Sequence, residues 1–260
     1  MSVDQSKRLG GKRVYILGAG APGGIAASIA MLFKAQGATI VLGSPEEEKA
    51  REVADMCGAA GIVKTDILDE VSIRDGARAA AEMLGGGIDV AINTAGVNRN
   101  APIAEETAEA LLFQARIHFI GTTLFIKEVA EHMGQGGSII TMSSVTAELT
   151  TPRLAAYAGS KAAADKVVKV AAVEYGDRGI RVNSLAPGLT STPMTASYFA
   201  DEKVVNAFRR EIPLGRMTTP DDVAAAALWL ASDECVATGD TIRVSGGAHL
   251  RRLPVARDFV

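Results

Sequence analysis

Tyr157 and Lys161 stand four residues apart in an alanine-rich run from Ala155 to Tyr175 that favours helix. Residues at that spacing share a helix face, so the ammonium lies beside the phenol. A neighbouring cation favours the phenolate and lowers a tyrosine pKa from its usual value of about 10 toward working pH. Such a phenol can exchange a proton with an alcohol or carbonyl oxygen. Ser144 ends the preceding apolar run, and its hydroxyl is placed to bond the same oxygen. The Tyr-x-x-x-Lys spacing alone is a weak signal, so its context has to carry it.

Part of that context is a glycine-rich turn. Gly18, Gly20, Gly23 and Gly24 lie between an apolar run, Val14 to Leu17, and a helical pattern, Ile25 to Gln36. Glycine permits a tight turn and a close backbone approach to a ligand. The free N–H groups at a helix start favour a pyrophosphate. Gly20-x-x-x-Gly24-x-Ala26 has the expected spacing with alanine third, but Gly18 is the natural first glycine when counted from the strand. We place Gly18, Gly20, Gly24 and Ile25 at the phosphates.

These groups need elements to hold them. Further β-like runs are Thr39–Leu42, the pair Ile62 and Val63, Asp89–Ile92, Ser138–Met142, Arg181–Leu185 and Thr241–Val244. Helical patterns lie between them at Glu46–Met56, Ser72–Leu84, Glu105–Met133, Ala155–Tyr175 and Pro220–Ala231, the last with Thr219 as cap and Pro220 in the first turn. Such alternation calls for α/β architecture: a doubly wound, Rossmann-like parallel sheet with helices on both faces, three layers in all. No linker, repeat or low-complexity tract divides the 260 residues, so one domain spanning 1–260 is expected. Residues 189–213 have weak periodicity and follow a strand's carboxyl end, where open α/β sheets bind ligands. They are read as a substrate-covering segment.

Composition excludes other classes. A net charge of −3, with neither half dominated by one sign, gives no footprint for nucleic acid or an anionic membrane. No apolar run is long enough to span a bilayer, and the polar start from Met1 to Arg13 has no secretory core. Cys57 and Cys235 fit no CxxC pattern and read as buried apolar side chains in a cytoplasmic protein.

The run Gly-Ser-Ile-Ile-Thr-Met-Ser-Ser-Val at 137–145, followed by Tyr-Ala-Gly-Ser-Lys-Ala-Ala at 157–163, resembles the short-chain dehydrogenase/reductases. The resemblance extends from about Lys12 to Gly247. It implies a nicotinamide-dependent oxidoreductase acting on a small-molecule alcohol or carbonyl. Ser144 would orient the substrate, Tyr157 transfer the proton, and Lys161 serve the tyrosine and the nicotinamide ribose. The resemblance also puts Asp66 and Ile67 at the adenine, Asn93, Ala95 and Gly96 at the central strand end, and Pro187, Gly188, Leu189 and Thr192 at the carboxamide. It further implies a homotetramer or homodimer built on the apolar faces of Leu111–Val129 and Ala162–Val173. The C-terminal tail from Leu250 is expected either to reach a neighbouring subunit or to fray.

Three positions depart from the family's pattern. His118 stands where an asparagine usually supports a water behind the lysine, and histidine could hold that water or relay a proton itself. Leu17 replaces a common threonine before the first glycine. Ser44 stands where a carboxylate would mark NAD; its absence leans the reading to NADP over NAD, against the repulsion of Glu46, Glu47 and Glu48 for a 2′-phosphate. The substrate is expected to meet Asn98, Arg99, 145–154 and 189–208, including Glu148, Arg153, Tyr198 and Phe199, a lining that favours a modest substrate over a bulky steroid. Two alternatives stay open. A dinucleotide-binding regulator or scaffold without turnover would have eroded catalytic residues. A lyase-like relative using the Ser-Tyr pair without nicotinamide would have lost the glycine turn and the lysine.

Overall fold

Along the first strand Val14 and Ile16 enter one core while Tyr15 and Leu17 enter another, and all four are buried. Val90, Ala91 and Ile92 alternate in the same way. A strand apolar on both sides needs a layer on each, which explains the continuous rather than alternating hydrophobic runs. The structure, a computed structural model, describes residues 7–259. The first six residues of the polar start, and Val260 of the tail, lie outside the described residues.

The strands are β1 (Arg13–Leu17), β2 (Thr39–Ser44), β3 (Gly61–Lys64), β4 (Val90–Asn93), β5 (Gly137–Met142), β6 (Ile180–Pro187) and β7 (Thr241–Val244). They form one parallel sheet in the order β3-β2-β1-β4-β5-β6-β7. The helices are α1 (Ile25–Ala35), α2 (Glu47–Cys57), α3 (Glu70–Met83), α4 (Ala108–Ala115), α5 (Gly121–Glu131), α6 (Ala155–Glu174), α7 (Ala196–Phe199), α8 (Glu202–Arg210) and α9 (Pro220–Ala231). α1, α2 and α9 pack on one face; α3, α5 and α6 pack on the other. The doubly wound, three-layer architecture expected from the sequence is present.

Local chemistry sets the helix starts. Thr219 and Asp222 form a reciprocal capping box at α9, with Pro220 in its first turn. Asp69 accepts from the N–H groups of Val71 and Ser72, so α3 begins at Glu70, before the apolar periodicity is visible. The single helix expected over Glu105–Met133 is divided. Thr107 caps α4, and a π-helical turn, Arg116–Ile120, joins it to α5. Gly121 lets this joint sit against the loop after β3, since a Cβ there would come within 2.7 Å of the Ile67 carbonyl oxygen.

The segment 189–213 contains a short 3-10 turn (Pro193–Thr195), α7 and α8. Residues 251–259 pack back against α8 and its C-terminal end. Phe259 stacks on Phe208 of α8 at 6.5 Å between centroids. Arg252 pairs with Glu211 and with Asp258, Arg251 donates to the Arg210 carbonyl, and Arg210 donates to the Asp258 carbonyl.

Candidate active site

Strand order reverses between β1 and β4, and a crevice at that switch point is where open parallel sheets bind ligands. Leu17 pairs with Asn93, Asn93 with Thr141, and Met142 with Leu185, so the carboxyl ends of β1, β4, β5 and β6 lie side by side. Gly18 sits at this edge with φ +97°, and a Cβ there would lie 2.6 Å from the Ala95 nitrogen. Only glycine fits that place. Gly24 is the N-cap of α1 and supplies no side-chain bond to the orphan N–H groups of the first turn. Gly20 is exposed beside them, and Ile25 reaches the cleft wall. An uncapped helix start beside a glycine cradle fits the pyrophosphate of a dinucleotide.

Tyr157 and Lys161 project from α6, and Ser144 follows the end of β5; all three line one cleft. The Lys161 Nζ lies 5.8 Å from the Tyr157 ring centroid and donates to the Met142 carbonyl at 2.6 Å. Burial drives the lysine pKa down to about 8, partly opposed by Asp165 one turn further along α6. The phenol differs from the sequence expectation. Burial pushes its pKa up, with the nearby Ser144 hydroxyl holding it back. Desolvation of the buried phenol sets the direction of the shift. Ser144 also accepts from the Thr146 N–H and hydroxyl, which restrains its rotamer.

His118 belongs to the π turn and is 1 % exposed. Its Nε2 accepts from the Val97 N–H at 3.1 Å, so Nδ1 carries the proton and donates to Ser160 Oγ at 2.9 Å. Ser160 in turn donates to the Tyr157 carbonyl. Burial, reinforced by the Lys161 charge, pushes the histidine down to about 3. The ring is therefore neutral with both nitrogens engaged, and it packs edge-on against the Tyr157 ring at 5.2 Å.

The remaining predicted residues divide into two groups. Gly96, Pro187, Gly188, Leu189 and Thr192 line the cleft with the Ser-Tyr-Lys set. A Cβ on Gly96 would lie 3.4 Å from His118 Nε2 and 3.6 Å from Lys161 Nζ, placing its backbone directly over that pair. The second group shapes the edge without lining the cleft. The Asn93 side chain is turned inward, donating to Thr122 and accepting from the Ala95 N–H. Between them Thr94, which does line the cleft, donates from nitrogen and hydroxyl to the Leu17 carbonyl. Leu17 itself is buried, as packing in place of threonine requires. The Ser44 hydroxyl donates to the Glu46 carbonyl and accepts from the Glu46 N–H. Asp66 accepts from the Leu68 N–H, and Ile67 is buried against the α4–α5 joint.

The cleft has a volume of about 750 Å³. Asn98, Arg153 and Tyr198 line it as expected; Arg99, Glu148 and Phe199 do not. Arg99 lies over the Phe113 ring at 4.2 Å, and Glu148 pairs with Arg243. Sequence reasoning missed the tail: Leu253–Ala256, Arg257 and Phe259 form one wall. With Met194 and Phe208 they make the cleft more apolar than the sequence suggested. Asp165 was also missed. Its Oδ2 accepts from Ser143 at 2.6 Å while buried Oδ1 has no protein partner. An acid eight residues after a tyrosine on one helix face was the available signal.

A parallel sheet with a glycine-built phosphate cradle at its switch point, and a serine, tyrosine and lysine beside it, defines a nicotinamide-dependent oxidoreductase. The family described as Enoyl-(Acyl carrier protein) reductase matches residues 18–249. The chain is 37% identical over 251 residues to 3beta-hydroxysteroid dehydrogenase 1 of Eggerthella lenta, covering 93% of this chain and 95% of that one. It is 35% identical over 251 residues to a 2,5-dichloro-2,5-cyclohexadiene-1,4-diol dehydrogenase of Sphingobium indicum, covering 93% and 98%. Among solved structures it resembles a gluconate 5-dehydrogenase from Burkholderia cenocepacia in complex with NADP and tartrate. That match has a TM-score of 0.85, 31% identity, and covers 93% and 96% of the two chains. The chain belongs to the short-chain dehydrogenase/reductase family and is an NAD(P)-dependent oxidoreductase. Nothing supports the scaffold alternative, and Ser144, Tyr157 and Lys161 lie in one cleft. No helix among the described residues is long and apolar enough to cross a membrane.

Proposed function

We propose that this chain, as a single dinucleotide-binding domain in the cytoplasm, interconverts a cyclic secondary alcohol and its ketone with NADP. The observation that carries the reading is the meeting of Ser144, Tyr157 and Lys161 on an apolar cleft at the carboxyl edge of the sheet. Two relatives named for cyclic alcohols fit such a cleft. Bound nicotinamide supplies the hydride acceptor or donor. Ser144 and Tyr157 bind the substrate oxygen. In oxidation Tyr157 takes the hydroxyl proton, and in reduction it returns it. The Lys161 ammonium favours the phenolate during that exchange. Gly188 and Leu189 offer backbone, and Thr192 a hydroxyl, to the carboxamide.

NADP is preferred on the absence of a carboxylate at the end of β2. Ser44 presents no carboxylate to the adenosine ribose, and Glu46 is neutralised by Lys49 at 2.6 Å. Glu46 makes no side-chain capping bond, so the Glu47 and Glu48 N–H groups at the start of α2 are open to a 2′-phosphate, against the charge of those two side chains, while the Lys49 N–H is taken by the Glu46 carbonyl. A panel of cyclic alcohols and ketones, followed by nicotinamide absorbance, tests both statements. Turnover with at least one member and a kcat/KM preference for NADP(H) of roughly tenfold or more are expected. No turnover across the panel contradicts the substrate class; a preference for NAD(H) contradicts the cofactor choice.

His118 acts by positioning rather than by proton relay. His118→Asn keeps an acceptor for Val97 and should hold turnover within a few-fold. His118→Leu leaves the buried Val97 N–H unpaired, at a cost of about 1–3 kcal/mol, and should lower both stability and turnover. With the ring neutral down to about pH 3, the pH–rate profiles of wild type and His118→Asn should coincide between pH 5 and 8. A limb in that range that disappears in His118→Asn would restore the relay role.

Homo-oligomerisation fits the same reading. Leu111, Leu112, Phe119, Ile120 and Val173 are exposed apolar residues on α4, the π turn and α6. They offer a self-complementary face for a homodimer or homotetramer.

A further inference from the structure

Two arginines on the cleft have no role in the chemistry above. Arg153 lies on the loop before α6 and Arg257 on the C-terminal tail; both are exposed and line the cleft. No hydrogen bond or salt bridge engages either guanidinium among the described residues. The contrast within the tail is informative. Arg251 is held by the Arg210 carbonyl and Arg252 by Glu211 and Asp258. Asp258 is next to Arg257, but its carboxylate is taken by Arg252 and by the Val255 N–H.

Arg153 is also the one non-glycine residue among those described with positive φ, at +74°. That conformation costs about 1–2 kcal/mol for an ordinary L-residue. It is held by the bond from the Ala101 N–H to the Arg153 carbonyl at 3.0 Å, which ties the loop to the segment after β4. Strain of this kind persists where the surrounding structure imposes it, commonly at ligand clamps.

Among the described residues, those lining the cleft include no aspartate or glutamate. Among the described residues the only cations on it are Arg153, Lys161 and Arg257, and Lys161 is hydrogen-bonded to Met142 and serves the proton transfer. An apolar cleft with two unpaired guanidiniums and no acid favours an anion on an apolar body. Resting on the alcohol–ketone reading, we propose that the substrate carries a carboxylate remote from the reacting carbon, received by Arg153 and Arg257. The reacting oxygen then faces Ser144 and Tyr157 while the carboxylate faces the loop and tail. The tail thereby becomes part of the specificity apparatus rather than an appendage.

Binding and turnover test this separately. Calorimetry of the enzyme loaded with NADP should show cyclohexanecarboxylate binding about tenfold or more tighter than cyclohexylmethanol. The double variant Arg153→Gln, Arg257→Gln should bring that ratio to near one. In turnover, 4-oxocyclohexanecarboxylate should be favoured over its methyl ester by a similar factor, and the same variant should collapse the ratio. Equal binding of acid and alcohol by the wild type, or a ratio unchanged in the variant, overturns the carboxylate assignment. Acid-selective binding without turnover of either ketone upholds the assignment and overturns the cyclic-ketone reading. Turnover of the ester in preference to the acid does the reverse.

Discussion

Tyr157→Phe should bind the nicotinamide cofactor as tightly as the wild type and lose turnover by about 10²–10⁴-fold, the usual worth of a positioned acid/base. The substitution removes one oxygen and keeps the ring that packs edge-on against His118. No cavity opens, so stability should change little. The phenol lies on the wall of the cleft with Ser144 nearby; of the other lining side chains with a titratable proton, Tyr198 is hydrogen-bonded to Asn100 and Lys161 to the Met142 carbonyl. Turnover within tenfold of wild type, with unchanged cofactor affinity, would remove Tyr157 from the chemistry.

Lys161→Met should lower turnover by roughly a hundredfold or more, yet leave the protein at least as stable at pH 7. The ammonium is 4 % exposed and makes one hydrogen bond. Its pKa falls from 10.5 to about 8 because burial disfavours the charged form, and each pKa unit is worth about 1.4 kcal/mol. Methionine fills similar space without a charge to desolvate. The sign of the pH dependence follows. Below about pH 8 the lysine is protonated in both folded and unfolded chains, and the destabilisation is complete. Between pH 8 and 10.5 the fold releases the proton while the unfolded chain keeps it, so this group's contribution rises with pH. Denaturant unfolding at pH 7 and pH 10 should therefore show the advantage of Lys161→Met shrinking at the higher pH. A variant several kcal/mol less stable at pH 7 would instead make the Met142 bond a structural anchor.

The sheet was legible because its strands are apolar on both sides. Val14 to Leu17 shows no alternation, and a run buried on two faces reads the same from the sequence as it packs. The Ser144, Tyr157 and Lys161 set was legible because two of its members share one helix and the third ends the strand before it. What escaped was written in contacts between distant segments. The division of α4 from α5 depends on a π turn packed against Ile67, and no local propensity marks that event. The state of the phenol escaped as well, because spacing predicts proximity to a cation while desolvation depends on everything around it. The tail from Leu250 read as either reaching a neighbour or fraying, and Arg251 and Arg252 hold it to α8 and its end through Arg210, Glu211 and Asp258. Glu148 looked like a cleft residue until Arg243, ninety-five positions away, claimed it.

The most direct test of the account is isotopic. A cyclic alcohol deuterated at its carbinol carbon is incubated with the protein and NADP, and the reduced nicotinamide is examined by mass spectrometry. The account predicts one deuterium on the nicotinamide ring, delivered at a rate that Tyr157→Phe suppresses by at least a hundredfold. Alcohol consumption with no deuterium in the nicotinamide, or equal transfer by Tyr157→Phe, would contradict it.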